Sequence, residues 1–376
     1  MLVLPWSPDN QGGVTGVVQQ LIAHWGDKQD LNPMLVVDDW DSSRASRRPD
    51  ALYFRFAALC AVPMSRLPRA LLRVPVALWR TWRLLKQEQV AAVNFHYTGN
   101  APWGIAVLKR LGLYRGKLLI SFHGTDVRPA DDAMDDWLRS FCFRQADALV
   151  ACSGSLANRM AATFQLARER ISVILNGVDT EIFRSEAPHT TATQTLPDDY
   201  VVNVGAFIPR KAHVDLIDAF ARAFADQPSV HLCLAGADGP TLAAVREQIQ
   251  ALGLGPRVHI FVGIGARDVA HLLARARLFV QTSLAESMPL SVLEAGAVGT
   301  PVAVSDIPGH DDLIVDHENG RLFAVSNPDA CAAVMRDMLA ERSTAQHLGT
   351  GFQRYIREHL TWTSCVEQYK GLYRPK

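Results

Sequence analysis

Short aliphatic and β-branched runs alternate with stretches of helical periodicity along the whole chain. This alternation is typical of parallel strands connected by helices and predicts a doubly wound α/β fold. The runs fall into two series. We place the strands of the first series at 1–4, 34–37, 90–94, 117–122, 148–151 and 171–174. We place those of the second at 200–204, 231–235, 258–262, 278–281, 301–304 and 320–323.

The length of 376 residues exceeds what one hydrophobic core usually serves, so two domains are expected. Between the two series, residues 185–199 are rich in Thr, Ala and Pro and have no apolar period, which is typical of a linker. We therefore predict Rossmann-like domains over 1–184 and 200–360. Ligands of such sheets bind at the carboxyl ends of the strands, so a cleft between the domains is the expected site.

The overall composition excludes several classes of function. A formal net charge of zero and a pI of about 7.2 give no general attraction to nucleic acid. The six cysteines include no C-x-x-C pair, which argues against a zinc site or a disulfide framework and fits a cytoplasmic protein. The chain shows neither a signal-peptide pattern nor an apolar run long enough to span a bilayer. We expect a cytoplasmic protein whose function depends on local sites.

One such site is indicated where the strand at 278–281 runs into a turn and then a helix. Pro289 lies near the helix start, where its missing N–H is tolerated. The N–H groups of Met288, Leu290 and Ser291 can then point at an anion. The segment therefore predicts a pyrophosphate site.

Two glutamates flank this predicted pyrophosphate site. Glu294 follows about 7 Å further along the helix, at about 1.5 Å per residue, where its carboxylate can accept both hydroxyls of a ribose. Glu286 lies on the turn, on the other side of the phosphates, where a sugar of a sugar nucleotide would lie. The alternative is a pair of solvated surface glutamates, but the flanking strand and Pro289 favour a nucleotide diphosphate site.

Two further candidates follow strands of the first series. His123 ends the strand at 117–122 and precedes Gly124, so we expect it to project from the sheet edge into the cleft. Gly13, within the segment Gly12-Gly13-Val14-Thr15-Gly16, follows the first strand and could let the backbone approach a phosphate or a sugar closely.

Taken together, these segments resemble retaining glycosyltransferases of family 4. Glu286 and Glu294 match the family's Glu-x7-Glu motif. Other segments match in the expected order, so that the similarity spans almost the whole chain: 12–16, 121–126, 176–179, 204–211 and 305–310. The resemblance implies the GT-B fold, in which two Rossmann-like domains face a cleft. It also implies that the last helix, within 361–376, returns to the first domain.

The resemblance implies transfer of a hexose, with retention, from a nucleoside diphosphate sugar to a hydroxyl of a sugar or lipid-linked sugar acceptor, in surface polysaccharide or glycolipid synthesis. It implies no metal and no cofactor, only a UDP- or GDP-linked sugar as co-substrate, while the first domain binds the acceptor. His123 would lie near the donor sugar. The alternatives are a non-catalytic GT-B subunit that binds a sugar nucleotide or a partner transferase, and a GT-B epimerase or phosphorylase.

Catalytic cations are also implied. Lys211 could neutralise the pyrophosphate, since fixed cations stabilise the charge that builds up on the leaving nucleotide. The family usually has an arginine five residues before this lysine, where the present chain has Ala206. Three explanations stay open: Lys211 suffices, the adjacent Arg210 compensates, or activity is reduced.

Residues 66–86 contain six basic residues, no acidic residue, and Trp79 and Trp82. This composition is typical of an interfacial helix on anionic lipid, and it predicts peripheral contact with the inner membrane face and a lipid-linked acceptor. The alternative is an ordinary surface helix whose tryptophans face the core, interrupted at Pro75.

Overall fold

A computed structural model describes residues 1–9, 12–26, 31–38, 46–49, 51–56, 67–97, 101–186 and 196–374, with the backbone alone at 67–72. The chain forms two compact units. Unit 1 comprises Met1–Leu175 and Cys365–Lys376, and unit 2 comprises Asn176–Ser364. The predicted linker at 185–199 includes residues 187–195, which lie outside the described ranges, so the domain bounds at 184 and 200 stay a prediction.

Unit 1 is built on an eight-stranded sheet. Its strands are β1 (Leu2–Leu4), β2 (Leu35–Asp38), β3 (Ser46–Arg47), β4 (Leu52–Phe54), β5 (Ala92–His96), β6 (Lys117–Phe122), β7 (Ala148–Ala151) and β8 (Ile171–Val173). They lie in the order β3-β4-β2-β1-β5-β6-β7-β8, and only the β3–β4 pair is antiparallel among these described strands. The helices are α1 (Gly13–Ala23), α2 (Leu67–Gln87), α3 (Trp103–Arg110), α4 (Ala133–Gln145) and α5 (Gly154–Phe164).

The last helix, α12 (Trp362–Tyr373), ends within unit 1. Buried polar groups hold it against the sheet. Asn94 donates to the Tyr373 hydroxyl at 2.8 Å, and the Tyr369 hydroxyl lies 3.2 Å from Ser121 Oγ. Ser121 in turn donates to Asn94 Oδ1 at 2.9 Å, so that the middle of the sheet and the end of the chain share one network.

Unit 2 contains a six-stranded parallel sheet in the order β11-β10-β9-β12-β13-β14. Its strands are β9 (Tyr200–Val204), β10 (His231–Gly236), β11 (Val258–Val262), β12 (Leu278–Gln281), β13 (Val302–Asp306) and β14 (Arg321–Ala324). Its helices are α6 (His213–Ala223), α7 (Leu242–Ala251), α8 (Ala266–Arg275), α9 (Leu290–Val298), α10 (Pro328–Ala340) and α11 (Arg342–His359). The strands are rich in apolar residues, as expected of a parallel sheet that helices cover on both faces.

The strand order reverses once in each sheet, and these two places position the candidate sites. In unit 1 the reversal lies between β1 and β5, and in unit 2 it lies between β9 and β12. At such a point the connections leave on opposite faces and open a crevice at the carboxyl ends of the strands.

The doubly wound α/β class predicted from the sequence is confirmed. Each of the predicted strands overlaps an observed one, and β3 and β4 were not predicted. The predicted interruption at Pro75 is wrong, because α2 continues through this residue.

Candidate active site

At the reversal point of unit 2, the loop after β9 and the turn after β12 are joined by hydrogen bonds. The Leu284 N–H donates to the Arg210 carbonyl at 2.8 Å. The Thr282 hydroxyl lies 3.2 Å from the carbonyl oxygen of Lys211 and 3.0 Å from that of Ala212. These bonds hold the short 3-10 turn Pro209–Lys211 beside the turn that leads into α9.

An ion pair lies at the centre of this arrangement. Lys211 Nζ is 2.7 Å from Glu286 Oε1, and their side chains are only 11% and 7% exposed. Burial by itself would raise the pKa of Glu286, but the nearby Lys211 ammonium, together with Arg210 and a hydrogen bond from Ser283, holds this pKa below its ordinary value. Glu286 is therefore ionised at neutral pH, and the aliphatic part of Lys211 packs against Gly205.

Uncharged side chains complete the network around Glu286. Its Oε1 also accepts from Ser283 Oγ at 2.9 Å and from Gln281 Nε2 at 3.1 Å. Gln281 accepts a further hydrogen bond from Ser291, in the first turn of α9, at 2.9 Å. Because Oε1 receives three donors and none of the described residues donates to Oε2, the second oxygen is the one that can bind a ligand.

The side-chain roles of Gln281, Ser283 and Ser291 were not predicted from the sequence, which indicated only the backbone N–H of Ser291. All three are buried polar residues in or beside an apolar strand and helix. Buried polar groups need hydrogen-bond partners, so their presence next to Glu286 was the signal that could have found them.

Helix α9 begins at Leu290, and Pro289 is the extended residue before it, with ψ of 115°. Pro289 thus lies one position earlier than the first-turn placement expected from the sequence. No side chain caps this helix end. The Val292 N–H donates to the Pro289 carbonyl, but the N–H groups of Leu290 and Ser291 have no partner among the described residues and remain available to an anion. Met288 is buried, and its sulfur accepts from the Asn176 N–H at 3.1 Å.

Glu294 lies on the partly open face of α9. Every other residue from Ser291 to Val298 is buried, and only Leu290, one turn earlier, shares this face. No residue in the described ranges donates a hydrogen bond to Glu294 or forms a salt bridge with it. Burial raises the pKa of Glu294 to about 7, against a smaller opposite effect of Lys211. A half-buried carboxyl group without a protein partner is suited to the hydroxyls of a ligand.

The turn after β13 supports Glu286 from a second side. Gly309 has φ of +94°, and a Cβ there would lie 2.7 Å from the Glu286 carbonyl oxygen, so glycine is required for this approach. The neighbouring His310 is fully buried and donates from Nδ1 to the Ser305 carbonyl at 2.7 Å. Burial lowers the pKa of His310 to about 4. Its Nε2 has no partner among the described residues and was not predicted as a site atom.

Arg210 is exposed, and none of the described side chains forms a hydrogen bond or salt bridge with its guanidinium group. Its charge contributes to the low pKa of Glu286, whereas Ala206 can supply no cation. The structure thus joins Lys211 and Glu286 directly and leaves Arg210 at the surface beside them. The three explanations for Ala206, among them compensation by Arg210, stay open.

The candidate residue His123 of unit 1 lies at the carboxyl ends of the strands of its own sheet. His123, at the end of β6, has Nε2 3.1 Å from Nδ1 of His96, which ends β5, and the two rings stack. Burial lowers the pKa of His123 to about 4. Burial, together with the charge of a protonated His123, holds the pKa of His96 well below its ordinary value, so both rings are neutral. The backbone N–H groups of His123 and Gly124 donate to the buried Asp126 carboxylate.

His96 was not predicted from the sequence because nothing in its local sequence distinguishes it.

Gly13 is the first residue of α1 and is exposed, and a Cβ at this position would have none of the described atoms within 4 Å. The predicted approach of Gly13 to a ligand, like the predicted role of His123, stays a prediction.

The two-unit fold is shared with solved structures of other proteins. One of them is HepE of Anabaena in complex with UDP and glucose, which aligns with a TM-score of 0.73 over 98% of each chain at 18% identity. The two-unit architecture is therefore the GT-B fold of glycosyltransferases.

Two family models match the chain. "Glycosyltransferase Family 4" matches residues 11–182, and "Glycosyl transferases group 1" matches residues 192–354. The chain is 25% identical over 297 residues to the N-acetyl-alpha-D-glucosaminyl L-malate synthase of Bacillus anthracis, covering 77% of this chain and 75% of that protein. It is 30% identical over 258 residues to the alpha-maltose-1-phosphate synthase of Mycobacterium tuberculosis (strain CDC 1551 / Oshkosh), covering 63% of this chain and 65% of that protein, slightly less than two thirds. This chain belongs to the glycosyltransferases of the family 4 type.

Proposed function

We propose that this glycosyltransferase moves a hexose from a UDP- or GDP-linked sugar to an acceptor hydroxyl, with retention and without a metal. The observation that carries the proposal is the buried Lys211–Glu286 pair beside the uncapped N-terminus of α9. The solved complex of HepE with UDP and glucose supports a nucleotide-sugar donor.

Each group of the site has a role in this proposal. Lys211 and the free N–H groups of α9 stabilise the leaving diphosphate, as preorganised donors and charges do in other enzymes. Glu286 binds sugar hydroxyls through its free Oε2, and Glu294 accepts the ribose hydroxyls. His123 is the proposed sugar-binding residue of unit 1.

The bond changes balance without a covalent enzyme intermediate. The bond between the anomeric carbon and the diphosphate oxygen breaks, and the acceptor oxygen bonds to the same carbon from the same face. The proton of the acceptor hydroxyl passes to the departing phosphate oxygen. Glu286 therefore needs no nucleophilic role, in agreement with its fixed ion pair.

A thermal-shift screen tests the proposed donor. UDP, GDP, ADP and their common sugar conjugates are added with and without chelator, since a ligand that binds only the native state raises the unfolding temperature. We expect one nucleotide family to raise it equally with and without chelator. A rise that chelator abolishes would contradict the metal-free site. Binding without donor hydrolysis or transfer would favour a non-catalytic subunit, the function that Ala206 suggests.

We further propose that α2 holds the enzyme at an anionic membrane surface, where a lipid-linked acceptor would be found. From residue 73 onward, one face of this helix is exposed and carries Arg73, Val76, Trp79, Arg83 and Lys86. Trp79 is 53% exposed, which favours the interfacial alternative over a tryptophan that faces the core. Within the described ranges, no helix is both long and apolar enough to cross a bilayer.

Co-sedimentation with vesicles tests this contact. We expect binding to phosphatidylglycerol vesicles at low salt and weak binding to phosphatidylcholine. Arg83→Glu should weaken binding about 30-fold, since each charge near such a surface contributes about 1 kcal/mol and the change reverses one charge, a difference of about 2 kcal/mol. Trp79→Ala should also weaken binding. Trp137→Ala is the matched control, because Trp137 is 52% exposed on α4. Equal binding of all variants, or none at low salt, would contradict the proposal.

A further inference from the structure

The strand-order reversal of unit 1 carries a pair of aromatic rings that the proposed donor chemistry does not use. Trp6 lies two residues after β1, and Tyr97 directly follows β5. Their ring centroids are 4.8 Å apart with an angle of 58° between the planes, and both side chains are half-buried. The pair thus occupies the crevice position of the sheet, where ligands of this architecture bind.

Specific hydrogen bonds fix both rings. The Trp6 indole N–H donates to the buried hydroxyl of Thr15, in the first turn of α1, at 2.8 Å. The Tyr97 hydroxyl is 3.1 Å from the hydroxyl of Thr125, an exposed residue that follows β6. Loops after three neighbouring strands therefore meet at one partly open surface.

The backbone of Tyr97 is strained to reach this place. Its φ is +64°, a left-handed conformation that is unfavourable for a tyrosine, and its N–H is held by the Ser121 carbonyl at 3.0 Å. Such strain persists only where the surrounding structure enforces it, and it is concentrated at ligand sites. The neighbouring His96–His123 pair lies on the same two strand ends, β5 and β6.

We propose that the Trp6–Tyr97 pair is the platform for a sugar ring of the acceptor, and that Thr125 helps to orient it. This inference rests on the proposed transferase function and adds the residues that would bind its sugar acceptor. An aromatic face is electronegative and attracts the weakly positive C–H groups of a pyranose face. The Thr125 and Tyr97 hydroxyls beside the rings can bond sugar hydroxyls, which an acyl chain does not offer. The acceptor is therefore a carbohydrate at its reacting end, whether or not a lipid is attached.

Saturation-transfer NMR tests this platform with the methyl α- and β-glycosides of glucose, galactose, mannose and N-acetylglucosamine as probes. UDP or GDP is present in one series and absent in the other. We expect at least one glycoside to show its strongest signals on the C–H protons of one ring face. Trp6→Leu should lower its affinity at least tenfold. Trp6→Phe keeps an aromatic ring but loses the hydrogen bond to Thr15, and it should retain most of the glycoside binding. This result would show that a substitution at residue 6 does not by itself unfold the site.

The nucleotide-dependent rise in unfolding temperature is measured on the same variants. Glycoside binding that is lost in Trp6→Leu, with an unchanged nucleotide response, supports the platform. No glycoside signal, or an equal signal in Trp6→Leu, overturns it even if nucleotide still binds. Weaker nucleotide binding in Trp6→Leu also overturns it, because the rings would then belong to the donor. Absence of a nucleotide response in the unaltered chain counts against the proposed donor, while the glycoside signal and its loss in Trp6→Leu still decide whether the platform is supported or overturned.

Discussion

Lys211→Met is expected to reduce transfer by at least about two to three orders of magnitude, the effect of losing one group that stabilises developing charge. It should also lower the free energy of unfolding by about 3–5 kcal/mol, because it leaves the carboxylate of Glu286 buried without its cation. Urea unfolding and a steady-state transfer assay measure the two effects.

A double variant separates stability from function. In Lys211→Met with Glu286→Gln, no unpaired charge remains, while Ser283 and Gln281 still surround residue 286. We expect most of the lost stability to return and activity to stay low. Arg246→Met, at an exposed position on α7, is the control and should change stability by less than about 0.5 kcal/mol. Recovery of activity in the double variant, or near-normal turnover in Lys211→Met, would disprove the role of this lysine.

Glu294→Gln is expected to have opposite effects on the free protein and on its complex. The folded pKa of Glu294, about 7, exceeds its ordinary value of 4.5, so the folded state binds more protons between these values and stability falls as pH rises through this window. Above pH 7 the ionised group then costs at most about 3 kcal/mol. Glutamine removes this cost and should make the free protein more stable at pH 8, with little change at pH 4.5.

Nucleotide affinity should change in the other direction. The ionised Glu294 accepts both ribose hydroxyls, so affinity should rise as pH increases through about 7 in the unaltered chain. In Glu294→Gln this pH dependence should vanish and affinity at pH 8 should fall about tenfold or more, as expected when a charged hydrogen bond is lost. Calorimetric titration with the nucleotide found in the screen, at pH 6 and pH 8, measures both. Glu247→Gln, at an exposed position on α7, is the matched control. Unchanged stability and affinity in Glu294→Gln would refute the assignment.

The alternation of strands and helices was sufficient to predict the sheet class, because parallel strands covered on both faces are continuous apolar runs. Lys117–Phe122 and Tyr200–Val204 match the prediction residue for residue. The strands β3 and β4 were missed because Ser46–Arg47 has no apolar residue and Leu52–Phe54 is too short to display a period. Pro75 was expected to interrupt α2, but Pro75 is exposed, so its ring points away from the packed side of the helix.

The site residues that lie close together in the sequence were predictable. Glu286, Pro289 and Glu294 occupy one turn and helix, and the spacing alone suggested their arrangement. The ion pair of Glu286 with Lys211 joins residues 75 positions apart, and the bond between His96 and His123 joins two strands. Such partners depend on which strands are neighbours, which a single sequence does not specify. His310 and Gln281 were missed for the same reason, since their function depends on what surrounds them.

The hydrogen bonds between the first sheet and the tyrosines Tyr369 and Tyr373 have a consequence for biosynthesis. The residues of unit 2 form one continuous segment, Asn176–Ser364, which can fold as soon as it has left the ribosome. Ser121 and Asn94 can bond each other within unit 1, but the Asn94 amide has no Tyr373 acceptor until residues 369–373 are synthesised, nearly 250 residues after Ser121. The part of the protein made first is thus completed last, and during that interval its sheet exposes unpaired polar groups to chaperones and proteases.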